Sequence, residues 1–232
     1  MYPWVDEMIS HLHGQCPHRC AYCYVPNTRT ARFYTGPLRL SDKSFAWKPR
    51  AASRTIFVDH MNDLFANPVP TEWILRVFEH CRTFCLGRTL VFQTKNPARY
   101  LEYLIAIELK KLDAICTPGI LLGCTIETNQ DFATYGGFAP RPIERYQQIM
   151  RLDRQQRRAQ VFITVEPIMH MSPEQLAEMI IDINPAFVNI GADSKNHALP
   201  EPTDAEVEDL IARLRCGGVA IREKHNLGRL LP

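Results

Sequence analysis

Three cysteines fall within eight residues, Cys16-Pro17-His18-Arg19-Cys20-Ala21-Tyr22-Cys23, at the spacing C-x3-C-x2-C. The chain has only eight cysteines in 232 residues, too few for a disulfide scaffold. A local knot of thiols in such a chain reads as metal binding. A loop of this length can turn three sulfurs toward one centre. Three thiolates are one short of a closed four-cysteine site, and a [4Fe–4S] cluster held by three leaves one iron free to bind something else. The competing reading is a zinc knuckle with His18 or His13 as fourth ligand. No second ligand pair follows at finger spacing, which favours the cluster. Among the other cysteines, Cys81 and Cys85 stand four apart on a predicted helix and read as two small buried hydrophobes, with a second cluster as the alternative. Cys124 lies in an apolar run and reads as core. Cys116 and Cys216 carry no evident role.

A second set of chemically capable residues follows the apolar runs of the chain. Asp59-His60-Met61-Asn62-Asp63 follows Thr55-Ile56-Phe57-Val58, and Gln93-Thr94-Lys95 follows Thr89-Leu90-Val91-Phe92. Thr125, Glu127, Thr128 and Asn129 close the run that starts at Gly119. Thr164 and Glu166 close the run from Val161, and Asn189, Gly191, Asp193, Ser194 and Lys195 close the run from Phe187. Asp63, Asn129 and Asp193 are residue types that cap helices. Capping does not account for acids and a lysine placed straight after apolar runs, where burial without partners is costly.

The elements that would position these residues alternate regularly. The apolar runs at 55–58, 89–92, 119–126, 161–165 and 187–190 have strand composition. Between them, helices open at Pro70-Thr71-Glu72, Pro97, Pro142, Ser172-Pro173-Glu174 and Pro202-Thr203-Asp204. Apolar residues recur at helical spacing in each, as in Trp73, Ile74, Val77, Phe78 and Cys81, or Tyr100, Leu101, Leu104, Ile105 and Leu109. Residues 1–15 supply a first strand leading into a cluster loop at 14–24, and Val219-Ala220-Ile221 a last strand after Gly217-Gly218. A βα repeat of roughly 30 residues predicts right-handed crossovers and a parallel sheet. Six or seven strands is short of a closed barrel of about eight. The expected α/β fold is a partial (βα)6-type barrel, open on one side, in a single domain over 1–232. A flat doubly wound sheet is the alternative, although no G-x-G-x-x-G follows the first strand. In either architecture ligands sit at the C-terminal strand ends, where the polar set lies. The irregular insertion at 24–54 carries Arg29, Arg32, Arg39, Lys43, Lys48, Arg50 and Arg54 and reads as a solvated connection or as a lid over the cluster.

The cysteine spacing, with Tyr22 before the third thiol, resembles the radical S-adenosylmethionine (radical SAM) superfamily. Further likeness lies in Met61-Asn62-Asp63-Leu64-Phe65, Gln93-Thr94-Lys95-Asn96-Pro97, Gly191-Ala192-Asp193-Ser194-Lys195 and residues 128–145. These point to a small phage-type branch akin to spore photoproduct lyase. The resemblance implies a partial barrel with Cys16, Cys20 and Cys23 on a [4Fe–4S] cluster and S-adenosylmethionine on the fourth iron. It places Asn62 and Asp63 at the methionyl amine, although the usual Gly-Gly-Glu is absent. It places Lys95 at the methionyl carboxylate, Thr125 and Glu127 at the ribose, and Tyr22 beside the adenine. Glu166 and Asp193, on the late strands, are left for a substrate, with a structural ion pair from Glu166 to Arg145 or Lys195 as the alternative.

The implied activity is reductive cleavage of S-adenosylmethionine that starts radical chemistry, with a flavodoxin or ferredoxin as reductant. A small nucleobase-like substrate, as in a lyase acting on a 7-deazaguanine, suits carboxylates that can accept two N–H bonds. Repair or modification of DNA or RNA is the alternative, suggested by the basic 24–54 segment and by Arg151, Arg154, Arg157 and Arg158, which also read as a solvated helix face. A zinc- or cluster-bearing binding protein is the non-enzyme alternative. Net charge of +2 creates no strong field for a polyanion. The start lacks a basic and an apolar leader region, and no apolar run reaches membrane-spanning length, so a cytoplasmic protein without membrane contact is expected.

Overall fold

The computed structural model describes residues 2–116, 118–131, 133–155 and 160–231. Its strands are β1 (Glu7–Ile9), β2 (Leu12–His13), β3 (Arg39–Leu40), β4 (Thr55–Val58), β5 (Thr89–Thr94), β6 (Gly119–Thr125), β7 (Gln160–Val165), β8 (Phe187–Ile190) and β9 (Ile221–Glu223). The α-helices are α1 (Thr71–Arg82), α2 (Tyr103–Ile115), α3 (Ala133–Gly136), α4 (Pro142–Gln155), α5 (Pro173–Ile183) and α6 (Asp204–Cys216).

Seven strands form one parallel sheet in the order β1-β4-β5-β6-β7-β8-β9, while β2 and β3 pair antiparallel beside it. Each new strand joins the same growing edge. With right-handed crossovers, that order keeps every crossover helix on one face, whereas a doubly wound sheet must reverse direction at a switch point. The result is an open half-barrel. Side chains alternate along each strand accordingly. Ile56, Val58, Leu90, Phe92, Leu122, Val161, Ile163 and Val188 face the helices in the main core. Phe57, Val91, Phe162 and Phe187 point inward into a second cluster with Tyr2. Gly123 is required there, because a Cβ would stand 2.3 Å from the Phe162 ring.

The first residues do not extend β1. Tyr2 and Trp4 turn under the sheet, stack on each other with centroids 5.2 Å apart, and plug the barrel floor. Above them lies a polar layer. The Tyr2 hydroxyl donates to Gln93 Oε1 (3.0 Å) and shares a hydrogen bond with Thr164 Oγ1 (3.0 Å). Gln93 Nε2 donates to Thr125 Oγ1 (3.0 Å), and Trp4 Nε1 to Asn189 Oδ1 (3.3 Å).

Three local expectations are corrected. Pro97 opens a 3₁₀ turn, Pro97–Leu101, rather than the long helix. Buried Arg99 in that turn donates to the carbonyls of Asn67 and Val69, both at 3.1 Å, and Glu102 is extended, so α2 starts only at Tyr103. Leu104 accordingly faces solvent. Ser172 occupies the N-cap of α5 but makes no side-chain cap bond; Thr203 and Glu206 of α6 do form a full capping box.

The 24–54 insertion is only partly a solvated connection. Phe45 and Trp47 pack against the core, and a buried chain of hydrogen bonds ties the segment down. His80 Nε2 reaches the Trp47 carbonyl (3.1 Å), His11 Nε2 meets His80 Nδ1 (2.8 Å), and His11 Nδ1 meets Asp59 Oδ2 (3.1 Å). A carbonyl only accepts, so with a neutral His80 the nitrogen Nε2 donates outward and Nδ1 accepts from His11. Asp59 and His11 must then share one proton between them.

Candidate active site

At the C-terminal rim of the half-barrel lies a cavity of about 550 Å³, within the usual range for ligand sites. Cys16, Cys20 and Cys23 all line it, as do Tyr22, Asn62, Asp63, Lys95, Thr125, Glu166 and Asp193. One concave site therefore gathers every residue given a cluster, cofactor or substrate role from the sequence except Glu127, while Thr128, Asn129, Asn189 and Gly191 do not line it.

The cluster loop is held from both sides. Asn62 donates from Nδ2 to the Gly14 carbonyl (3.1 Å) at the start of the loop. Asp63 accepts from His18 Nε2 (2.8 Å), between the first two cysteines, and also from Thr94 Oγ1 (2.8 Å), Lys95 N (2.8 Å) and Phe65 N (2.9 Å). Four donors use up the acceptor directions of one carboxylate. Burial alone would raise its pKa, but His18 and these bonds hold it below the usual range. Asp63 thus anchors the loop, and no free oxygen is left to meet a methionyl amine.

On the far side, the segment around α3 clamps the loop. Ala21 N donates to Tyr135 O (2.9 Å), Phe138 N to His18 O (2.7 Å), and Cys20 Sγ lies 3.5 Å from Gly136 O. Gly137 makes this approach possible. Its φ is +62°, and a Cβ would stand 2.1 Å from the His18 carbonyl oxygen. Gly137→Val should therefore cost at least roughly 1–3 kcal/mol in backbone strain alone. It should lower both the melting temperature and the iron retained after anaerobic reconstitution; a variant that keeps both would show that the clamp is dispensable.

The three thiols are unpaired by disulfides. Burial pushes Cys16 up to about 12, and it raises Cys20 despite the charge of Lys95. Among the described residues, no three His, Cys, Asp or Glu side chains are gathered as ligands of a single metal ion. A cubane asks for a looser set, because its three thiolates bind three different irons. The donors fit that group: three thiols, no competing carboxylate drawn onto them, and open cavity above.

Lys95 sends its ammonium into the same space, 5.2 Å from the Tyr22 ring centroid. Burial disfavours its charge, but Cys20 and Glu127 outweigh burial and raise its pKa. The ammonium makes no side-chain hydrogen bond or ion pair among the described residues, so it is available to an anionic group.

Glu127 has a different place from that expected. It is buried behind Tyr22, accepts the Tyr22 hydroxyl, and pairs with Arg145 Nη1 at 2.5 Å and Nη2 at 3.2 Å. Arg145 also donates to the carbonyls of Thr125 (2.8 Å) and Pro140 (2.6 Å). Burial would raise the Glu127 pKa, yet Arg145 and then Lys95 bring it down to about 2. With its oxygens taken, Glu127 positions Tyr22 rather than reaching a ribose; Thr125 remains on the cavity wall.

On the late strands, Glu166 pairs with Lys224 and not with Arg145 or Lys195. Asp193 is committed to its own loop. It accepts from Lys195 N (3.1 Å), from the His197 backbone N–H, and from His197 Nδ1 (2.7 Å). Burial would raise the Asp193 pKa, but the His197 and Lys195 bonds hold it low. Arg157 and Arg158 lie outside the described residues.

Several cavity residues went unread in the sequence: Tyr2, Tyr24, Lys224 and Asn226, while His60 was named there without a role. Lys224 and Asn226 follow the last strand, and the rule that exposed the other rim residues would have reached them had that strand been extended past Ile221. Burial holds the His60 imidazole down at about 4, so it is neutral at pH 7.

No protein-family model matches the sequence, and no curated protein does. Solved structures match the fold. Streptococcus suis SuiB bound to precursor peptide SuiA aligns over 95% of this chain and 49% of its own, with a TM-score of 0.65 and 11% identity. Spore photoproduct lyase complexed with dinucleoside spore photoproduct aligns over 97% of this chain and 78% of its own, with a TM-score of 0.64 and 13% identity. A radical SAM methyltransferase from Sphaerobacter thermophilus aligns over 97% and 67%, with a TM-score of 0.59 and 15% identity. The chain spans about half the length of SuiB. These proteins are radical SAM enzymes. This chain has their fold: the open parallel half-barrel of the radical SAM superfamily, with a three-cysteine loop at its C-terminal rim.

Proposed function

We propose that the protein is a radical SAM enzyme acting on a small, nucleobase-like substrate. One observation carries this reading: the three cysteines of the loop and the unpaired ammonium of Lys95 line the same cavity. Cys16, Cys20 and Cys23 would hold a [4Fe–4S] cluster. Bound there, the cluster would supply the electron that splits the C5′–S bond of S-adenosylmethionine. The rest is the work of this chain's own residues. Lys95 holds the methionyl carboxylate. Tyr22, oriented by Glu127, and Thr125 shape the wall beside the nucleoside. Asn62 and Asp63 keep the loop in place, and the Tyr2–Trp4 plug closes the floor against water.

Glu166 faces the substrate from the late strands. A lyase reaction on a 7-deazaguanine is consistent with a cavity of this size and with a carboxylate beside an amide on one wall. Electrons would come from a flavodoxin or ferredoxin. Nucleic acid is the second reading. It is favoured by the dinucleoside complex of spore photoproduct lyase and by Arg29, Arg32 and Arg39, which are exposed in the insertion whose Val25 and Thr28 line the cavity. Salt-sensitive retention of DNA or RNA would support that reading. No helix among the described residues is long and apolar enough to cross a membrane.

Anaerobic reconstitution tests the proposal. A brown protein with about four irons per chain that releases 5′-deoxyadenosine from S-adenosylmethionine on reduction supports it. A colourless zinc protein overturns it. Lys95→Ala should keep its cluster and weaken S-adenosylmethionine binding by about 10- to 100-fold, the value of a charged hydrogen bond of roughly 1.5–3 kcal/mol. Unchanged affinity by calorimetry would remove Lys95 from the cofactor site.

A further inference from the structure

The segment after β9 crosses the late side of the cavity and brings two groups to Glu166. All three converge over Gly191. A Cβ built at Gly191 would stand 3.1 Å from Asn226 Oδ1, 3.1 Å from Lys224 Cδ and 3.2 Å from Glu166 Cδ. The three side chains close over Gly191, which is buried beneath them, so an acid, an ammonium and an amide are gathered at one point of the backbone.

The amide is incompletely satisfied. Asn226 Nδ2 donates to the Ala192 carbonyl at 2.6 Å, which fixes which end of the amide is which, because the opposite orientation would set oxygen against oxygen. Its Oδ1 is buried and has no hydrogen-bond partner among the described residues. Two residues before Gly191, on the same face of β8, Asn189 is in the converse state. Its Oδ1 accepts from Trp4 Nε1 and its buried Nδ2 is left over. A buried acceptor without a donor is costly, and a ligand that supplies the donor recovers that cost.

Charge on this side balances. Glu166 is paired with Lys224, Asp193 is held by its own loop and His197, and Lys195 lies at the rim. Of the two cavity-lining ammonium groups without an ion pair among the described residues, Lys195 is exposed at the rim and Lys95 is half-buried at the other end. The late side thus suits an uncharged polar group rather than a phosphate or a carboxylate.

We propose that Glu166, Lys224 and Asn226, which line the cavity side by side, form a recognition subsite for the lactam edge of a planar heterocycle. The ring N–H would donate to Asn226 Oδ1 or Glu166, and the adjacent ring carbonyl would accept from Lys224. A 2-amino group would add a second donor to the carboxylate. The proposal rests on the cavity being the substrate site, and it names the substrate's recognised edge. A guanine-type or hypoxanthine-type ring offers the required donor beside an acceptor; adenine offers neither group in that order.

The test is calorimetric titration of guanine, hypoxanthine and adenine into the protein, both as purified and after cluster reconstitution with S-adenosylmethionine present. Guanine and hypoxanthine should bind, and adenine at least about tenfold more weakly, since a site built to bond one edge rejects a ring lacking it. Gly191→Ala and Asn226→Leu should each abolish or sharply weaken guanine binding. Both should retain the iron content and S-adenosylmethionine affinity of the parent, which shows that the variants fold. Equal binding of adenine and guanine, no base bound by the parent, or guanine binding unchanged in both variants would overturn the subsite. Guanine bound by a protein that fails to cleave S-adenosylmethionine would support the subsite while rejecting the radical reaction, so the two failures are distinguishable.

Discussion

Alanine at Cys16, Cys20 or Cys23 should leave the chain unable to hold a [4Fe–4S] cluster, and alanine at any other cysteine should not. The first three line the cavity together. The rest are elsewhere and differently surrounded. Cys81, Cys85, Cys116 and Cys124 are packed in the main hydrophobic core, and Cys216 is exposed at the end of α6. Burial raises the Cys81 thiol well above its ordinary value and Cys124 to about 12, as expected of inert core thiols. A cluster needs at least three thiolates to stay bound against loss of iron, so each ligand substitution should reduce iron, sulfide and 5′-deoxyadenosine formation to background. Substitutions at the core positions should cost about 1 kcal/mol of stability, the value of a small buried group, and leave iron content intact. Iron lost from Cys81→Ala, with the fold retained, would reveal a second cluster and reject the single-site arrangement.

Arg145→Met should be among the most destabilising single substitutions in the chain. The Arg145 and Glu127 side chains are 1% and 3% exposed, so removing the cation strands a buried carboxylate. Breaking such a pair typically costs about 3–5 kcal/mol. In a domain of this size that is a fall in melting temperature of roughly 6–20 °C. Replacing both partners, Glu127→Leu with Arg145→Met, should recover much of the loss, because no orphan charge is left.

The pair also sets a pH signature. Glu127 has its pKa lowered from 4.5 to about 2 on folding. A depressed carboxylate contributes stability that is fully present above its unfolded value and is lost as pH falls through its folded value. The stability gap between the parent protein and Arg145→Met should therefore be largest at neutral pH and narrow as pH falls from about 4.5 toward 2. A gap that is constant over that window in denaturant titrations would show that the Arg145 effect is one of packing and not of charge. Cavity chemistry should suffer too, since Glu127 orients Tyr22 beside Lys95.

Much of the molecule was open to reading in one dimension, and the residues show why. The thiol spacing of Cys16, Cys20 and Cys23 is a local property, as is the alternation of apolar runs with proline-opened helices. Each needs only a few neighbouring residues to be expressed, so both survived into the fold: seven parallel strands in sequence order and one cavity at their C-terminal ends. Placing polar residues just past the strands likewise depends only on strand polarity, and it brought Lys95, Thr125, Glu166 and Asp193 to the cavity.

What the sequence could not determine is which group meets which. Glu127 and Glu166 look alike in sequence, each a carboxylate after an apolar strand. One is sealed by Arg145, 18 residues away, and the other is met by Lys224, 58 residues away. Asp63 and Asn62 stand where a ligand amine was expected, but the cluster loop lies close enough to claim both side chains. Tyr2 reaches Thr164 across 162 residues, so the residues ahead of the first strand β1 become a floor plug that no local pattern announces. Local periodicity is set by backbone geometry and the hydrophobic pattern of a short segment. Pairing of charges and hydrogen bonds is decided only when crossovers bring distant rims within about 3 Å, where burial makes an unmet polar group costly and selects the partner.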